Sequence, residues 1–378
     1  MTDVAASLSQ FQQPRSLTPL FGDFVRWFMK SRITRTLTPC KSDRTRHHGL
    51  RHASTLVRKI CAIAGEPSLI EDIRVEFELN GLSAAVLRHD NQKIYDWLMD
   101  VFSYQGVADA VAEAYLDQHG RITQLDVRRA LSVDRGSCPK LESYWHFENC
   151  GYRKTAQNCN RPEHYALCPL PTHDLRNGSL NQAAYSLHFF LRDVAAGDIV
   201  RWIDKQLRSA DRPFAPNRAQ LLCNALLEPL SHVHGVSYKV LSMSLASLLL
   251  AGDPRRTRWV IAGAAMIVVD TLVHAWLHRT GILRSLSASH AYGPRCYGPN
   301  GCASIIDQLA RRIDARRFNP DFPKTFPRFV QKAIWRFCAQ SEVNRCNGNQ
   351  IDDRARCQDD SCPLYARCER VALDPNRN

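Results

Sequence analysis

Two apolar runs constrain this chain more than any other feature. Residues 240–250 and 259–269 are each eleven residues long, and Gly252-Asp253-Pro254-Arg255-Arg256 separates them. A helix needs about 20 consecutive apolar residues to cross a bilayer, so neither run spans one. Both are expected to be buried core helices of a soluble protein. The surrounding sequence keeps the same period. Ile94, Trp97, Leu98 and Phe102 fall on one face of a helix over 91–104. Leu180, Ala184, Leu187, Leu191 and Val194 mark another buried face. Thr123-Gln124-Leu125-Asp126 is spaced like a capping box. Further helices are expected at 105–117, 217–227, 238–250, 258–268, 271–279, 304–316 and 327–339. Strand-like alternation is scarce, so the expected class is all-α.

With 378 residues, of which 44% are hydrophobic and 23% charged, the chain can bury a full core. The charge is unbalanced: 50 Lys+Arg face 37 Asp+Glu, a net +13. Residues 1–60 carry 11 basic and 3 acidic side chains, and residues 1–65 read as a weakly structured basic arm. Such a surface concentrates polyanions, which suits nucleic acid or an acidic membrane face. Asp3 and Asp23 interrupt the first 30 residues, which lack the apolar segment of a signal peptide. The 14 cysteines are therefore expected in a reducing cytoplasm, where clustered thiols bind metal more often than they pair.

Two motifs carry chemistry. The first is Val233-His234-Gly235-Val236-Ser237-Tyr238-Lys239, a glycine turn feeding a helix with a lysine in its first turn. Gly235 tolerates the backbone angles of a compact turn. The N–H groups of Gly235, Val236 and Ser237 can point at an anion with help from the helix dipole, although many such turns are plain connectors. The same dipole disfavours a cation at Lys239, which would favour the neutral, nucleophilic amine. A surface lysine with its head in water is the simpler alternative. Asp270 stands just before the helix at 271–279 and is placed to cap it.

The second motif is Cys346-x10-Cys357-x4-Cys362-x5-Cys368, four thiols within 23 residues. Four cysteines on a loop suit a [4Fe–4S] cluster, with four-cysteine zinc as the rival. A looser set, Cys138, Cys150, Cys159 and Cys168, lies in a cysteine-rich segment over 138–173. It suits a second metal, zinc or iron–sulfur, or else scattered buried thiols. Tyr144, Trp145 and Tyr152 in that segment could stack on bases or simply pack the loop.

The hairpin around Gly235 and Lys239, the run Val269-Asp270-Thr271-Leu272 and the terminal cysteine run together resemble the helix-hairpin-helix DNA glycosylases related to endonuclease III. The resemblance covers roughly residues 90–370. It implies a helix-hairpin-helix domain over 66–345 with an insertion at 138–173, and an iron–sulfur loop over 346–378. It also implies base excision by nucleotide flipping, with double-stranded DNA carrying a damaged or mismatched base as partner. By this resemblance Lys239 attacks the sugar and forms a Schiff base with AP lyase activity, while Asp270 stabilises the cationic sugar. The segment Ser103-Tyr104-Gln105 resembles the family's Ser-Ala-Gln, which implies that Gln105 fills the hole left by the flipped base. The expected protein is a cytoplasmic monomer, nucleoid-associated if bacterial, that does not bind membranes. A monofunctional glycosylase, or a non-catalytic DNA-binding protein that keeps the hairpin, are the alternatives. The sequence departs from the family in Leu272, in Ser237 and in the 31 positions between Lys239 and Asp270.

Overall fold

The computed structural model describes residues 41–106, 109–132, 138–148, 150–153, 158–159 and 179–373. Thr45–Asn378 form one compact unit. The compact unit is all-α. Its helices, numbered in order, are α1 Lys41–Ala64, α2 Leu69–Leu79, α3 Leu82–Arg88, α4 Asn91–Ser103, α5 Asp109–His119, α6 Gln124–Ser132 and α7 Tyr144–Phe147. There follow α8 Ser179–Phe189, α9 Ile199–Ala210, α10 Arg218–Leu230, α11 Tyr238–Ala251 and α12 Thr257–Ala265. The last are α13 Thr271–Arg279, α14 Ile282–Ser285, α15 Cys302–Ala310 and α16 Pro327–Cys338. Among the described residues the extended pairing is a two-residue ladder, Tyr152–Arg153 against Asn158–Cys159.

The caps explain several boundaries. Thr123 and Asp126 form a reciprocal box: the Thr123 amide donates to the Asp126 carboxylate at 2.9 Å, and the Asp126 amide donates to Thr123 Oγ1 at 3.2 Å. Asp90, Asp198, Ser237 and Asp270 each accept from the third residue of their helix. The expected helix at 258–268 ends at Ala265: Met266 is extended, and the β-branched Ile267-Val268-Val269 that follows lies outside regular structure. The expected helix at 304–316 stops at Ala310, and a separate short turn, Ala315–Arg317, starts at its own Asp314 cap.

Two apolar cores share this unit. Residues of α2 to α12, from Phe77 to Met266, build the first. The second joins α1 to the C-terminal third, from Leu50 to Leu364. Residues 45–65, read from sequence as part of a basic arm, therefore belong to the compact unit. Leu50, Ala53, Leu56, Val57, Ile60, Cys61 and Ala64 form the apolar face of α1. The terminal loop likewise joins the second core through Cys346 and Leu364. Helices α11 and α12 run between the cores, and both contribute to each. They approach closely at Gly263, where a Cβ would stand 3.0 Å from Leu249 and Leu250. No described helix is long and apolar enough to cross a membrane.

Candidate functional site at the seam of two cores

Lys239 lies in the first turn of α11, on the side of the first core, and Asp270 caps α13 in the second. The structure brings their chain neighbours together through one side chain. The Tyr297 ring lies 4.6 Å from that of Tyr238. Its hydroxyl accepts from the Val269 amide at 3.0 Å and donates to the Val269 carbonyl at 3.2 Å. Val269 is buried and lies outside any helix or strand, so this hydroxyl satisfies both of its backbone groups. Burial pushes the Tyr297 hydroxyl up from its ordinary value, and that of Tyr238 up to about 12, so both stay protonated. Among the described residues no ion pair joins Lys239 to Asp270 directly.

Asp270 Oδ1 accepts from the Val273 amide at 2.9 Å. Among the described residues Oδ2 has no hydrogen-bond partner. The carboxylate is half-buried and stands near Tyr292 and Arg328. Burial first, then the charge of Asp270, pushes the Tyr292 hydroxyl up. Burial pulls Arg328 down to about 10, opposed by Tyr297 and Asp270. Tyr292, which feels the charge of Asp270, is 47% exposed, and Tyr238, against Tyr297, is 36% exposed.

The hairpin is α10, the turn 231–237 and α11. Gly235 adopts φ +77°, the left-handed region that its lack of a Cβ permits. Gln105 clasps this turn. Its Oε1 accepts from the Ser237 amide at 2.7 Å, and its Nε2 donates to the Gly235 carbonyl at 3.1 Å. The Ser237 amide, expected from sequence to be open to an anion, is thus occupied here, and Gln105 is turned toward the protein.

Cys346, Cys357, Cys362 and Cys368 line one small cavity with Trp276, Arg279 and Arg370. Arg279, only 2% exposed, donates to Cys346 Sγ at 3.4 Å and pairs with Asp353. The Arg370 amide donates to Cys368 Sγ at 3.4 Å. A hydrogen bond from Cys338, opposed by burial and reinforced by Arg279, brings Cys346 down to about 7. Two buried donors on residues that line this cavity, Trp276 Nε1 and Arg370 Nε, lack a protein acceptor.

The second cysteine group reaches outside the described residues. Cys168 lies beyond them, and only the backbone of Cys159 is given. Of the aromatic residues there, Trp145 is exposed, whereas Tyr152 is buried against the first core.

A further group went unread in the sequence. His274, His290, Cys296 and Cys302 bring their ligand atoms to within 4.8 Å of one another, the one metal-competent His/Cys/carboxylate group of that closeness among the described residues. The available signal was two cysteines six residues apart in a Gly- and Pro-rich stretch, with His290 just before it.

One cavity of about 960 Å³ is lined by Glu76, Asp90, Asp96, Asp100 and Glu113 with Lys93 and Arg121, and neither Lys239 nor Asp270 lines it. Its acidity disfavours a polyanion. A second concavity, about 420 Å³, is basic, with Arg58, Arg311, Arg312, Arg317 and Lys324 around Asp314. No family model, curated protein or solved structure matches the chain.

Proposed function

We propose that this chain is a DNA glycosylase of the helix-hairpin-helix type, acting at the seam between its two cores. One observation supports the reading most: Tyr297 ties the residue before Asp270 to the residue before Lys239. Sites at the junction of two packed bodies are where concave, partly apolar pockets concentrate. The net +13 of the chain and the basic concavity at Arg311 and Arg312 suit the phosphate backbone. Tyr238 and Tyr292 offer stacking faces for an extruded base.

In this reading the damaged nucleotide is flipped toward Asp270. Oδ1 stays committed to the α13 cap, which holds the carboxylate in place, and Oδ2 faces the positive charge that develops on the sugar. The Lys239 amine, after giving up its proton, attacks C1′ while the glycosidic bond breaks. The bonding pair leaves with the base, which takes up a proton. Loss of a proton from the nitrogen and opening of the ring oxygen give the Schiff base. Abstraction of a C2′ proton then expels the 3′-phosphate. Gln105 releases the hairpin and enters the duplex in place of the lost base.

The four terminal thiols suit a [4Fe–4S] cluster better than a single zinc ion. They surround one cavity without approaching each other as closely as the His274 group does. The unpartnered Trp276 and Arg370 donors, with the Arg279 charge, match an anionic cluster that accepts hydrogen bonds. When bound, the cluster would hold residues 346–368 as one rigid loop that carries Arg354, Arg356 and Arg367. About four iron atoms and four acid-labile sulfides per chain are expected, and Cys357→Ser should lose them.

Borohydride trapping on duplexes that each carry one lesion tests the activity. Wild-type protein should be trapped covalently and Lys239→Ala should not. Base release without trapping in wild type would make the enzyme monofunctional, with Lys239 on a phosphate. Tight DNA binding with no base release on any lesion would leave a non-catalytic binding protein.

A further inference from the structure

The group His274, His290, Cys296 and Cys302 comes from two elements. His274 lies on α13, and the other three lie on the segment from His290 to the start of α15. Its separations are not those of chance packing. His274 Nδ1 is 3.3 Å from Cys302 Sγ and 3.5 Å from Cys296 Sγ, and His290 Nε2 is 3.5 Å from Cys302 Sγ. Zinc bonds of about 2.3 Å to sulfur and 2.0–2.1 Å to nitrogen give a nitrogen–sulfur tetrahedral edge of about 3.5 Å.

We propose that these four side chains hold one tetrahedral zinc ion, separate from the terminal cysteine loop. A two-cysteine, two-histidine set with no fifth donor is the composition of a closed structural zinc site. The outer contacts agree. His290 Nδ1 donates to the Ala288 carbonyl at 2.6 Å, which leaves Nε2 as the lone-pair nitrogen facing the thiols. The buried atoms also need the ion, since Cys296 and Cys302 are fully enclosed and the described contacts of their sulfurs are to these same ligands. The segment 287–301 has one short turn, Pro294–Tyr297, and no longer element to fix it. Zinc would pin it to α13 at His274. The ion would therefore set the position of Tyr292 and Tyr297 beside Asp270, a consequence that matters for catalysis only if the proposed function holds.

The test is metal content of the full-length protein, measured without DNA so that it fails separately from the base-excision reading. Wild-type protein from zinc-supplied cells should carry about one zinc per chain in addition to any iron. Protein reconstituted with cobalt(II) in place of zinc should show the intense visible bands of a tetrahedral thiolate site. His290→Ala should lose nearly all of the zinc with iron unchanged, and His290→Cys, which restores a ligand, should keep it. The proposal is overturned if wild type holds no zinc and binds cobalt without those bands. It is overturned equally if His290→Ala retains full zinc, or if peptide mapping finds Cys296 and Cys302 joined as a disulfide.

Discussion

The His274 amide donates to the Asp270 carbonyl at 3.0 Å, so the two residues sit one helical turn apart at the start of α13. At the other end of this helix, Arg279 donates to Cys346. A helix of nine residues is about 13 Å long. One short rigid rod thus carries the capping carboxylate, the His/Cys group and the arginine of the terminal thiol cavity. A disturbance at the His/Cys group or at the terminal thiol cavity has a direct route to Asp270.

Asp270 caps α13, and the proposed function gives it a second role in base release; two substitutions divide them. Asparagine caps a helix about as well as aspartate, so Asp270→Asn should leave stability nearly unchanged. It removes the negative charge, and base release should fall about 100-fold or more. Asp270→Ala should lose the same activity and also about 1 kcal/mol of stability. Denaturant midpoints and single-turnover base release on the same samples check this. Wild-type activity in the asparagine variant would reduce Asp270 to a cap.

Tyr297→Phe keeps the ring against Tyr238 and removes only the hydroxyl. The buried Val269 amide and carbonyl both lose their partner, so the loss should be about 2–3 kcal/mol. Urea unfolding should show a lower midpoint at an unchanged slope. An unchanged midpoint would mean that Val269 finds other partners and that the seam does not depend on this contact.

Gln105→Ala frees the Ser237 amide and the Gly235 carbonyl at once. The turn is half-buried, so solvent meets part of the loss and about 1–2 kcal/mol is expected. Hydrogen exchange gives the sharper readout: the Ser237 amide should lose protection while amides in the middle of α11 keep theirs. Equal protection in the variant would show that the clasp contributes nothing to hairpin order.

Much of the fold is legible because helices advertise themselves locally. The faces at Ile94, Leu98 and Phe102 and at Leu180, Ala184 and Leu187 repeat at the helical period, and Thr123 and Asp270 mark starts by cap chemistry. Helix α1 was obscured because Arg44, Arg46, Arg51, Arg58 and Lys59 drew attention to charge, while its opposite face carried Leu50, Leu56, Val57 and Ile60. The seam was not legible. Tyr238 and Tyr297 meet across 59 positions, and no local period records that contact. The same holds for His274, which appears in sequence as one polar residue on an apolar helix. Its partners become visible only when the segment 287–301 folds back onto α13.

His188 provides a pH dependence that is independent of any metal. It is 7% exposed on α8, and its Nδ1 has no partner. Burial first, then the charges of Arg192 and Arg128, pull its pKa down to about 4. The unfolded chain has the ordinary histidine value of about 6.5. Between those two values the unfolded state binds a proton that the native state refuses, so stability rises with pH there. The contribution is complete above about pH 6.5, drains as pH falls, and is gone below about 4, a total of about 3 kcal/mol. In His188→Gln the slope of unfolding free energy over that window should be shallower by up to about 1.4 kcal/mol per pH unit. The comparison is between slopes, so it holds even if the glutamine itself costs stability. Parallel slopes in the two proteins would place the acid sensitivity elsewhere.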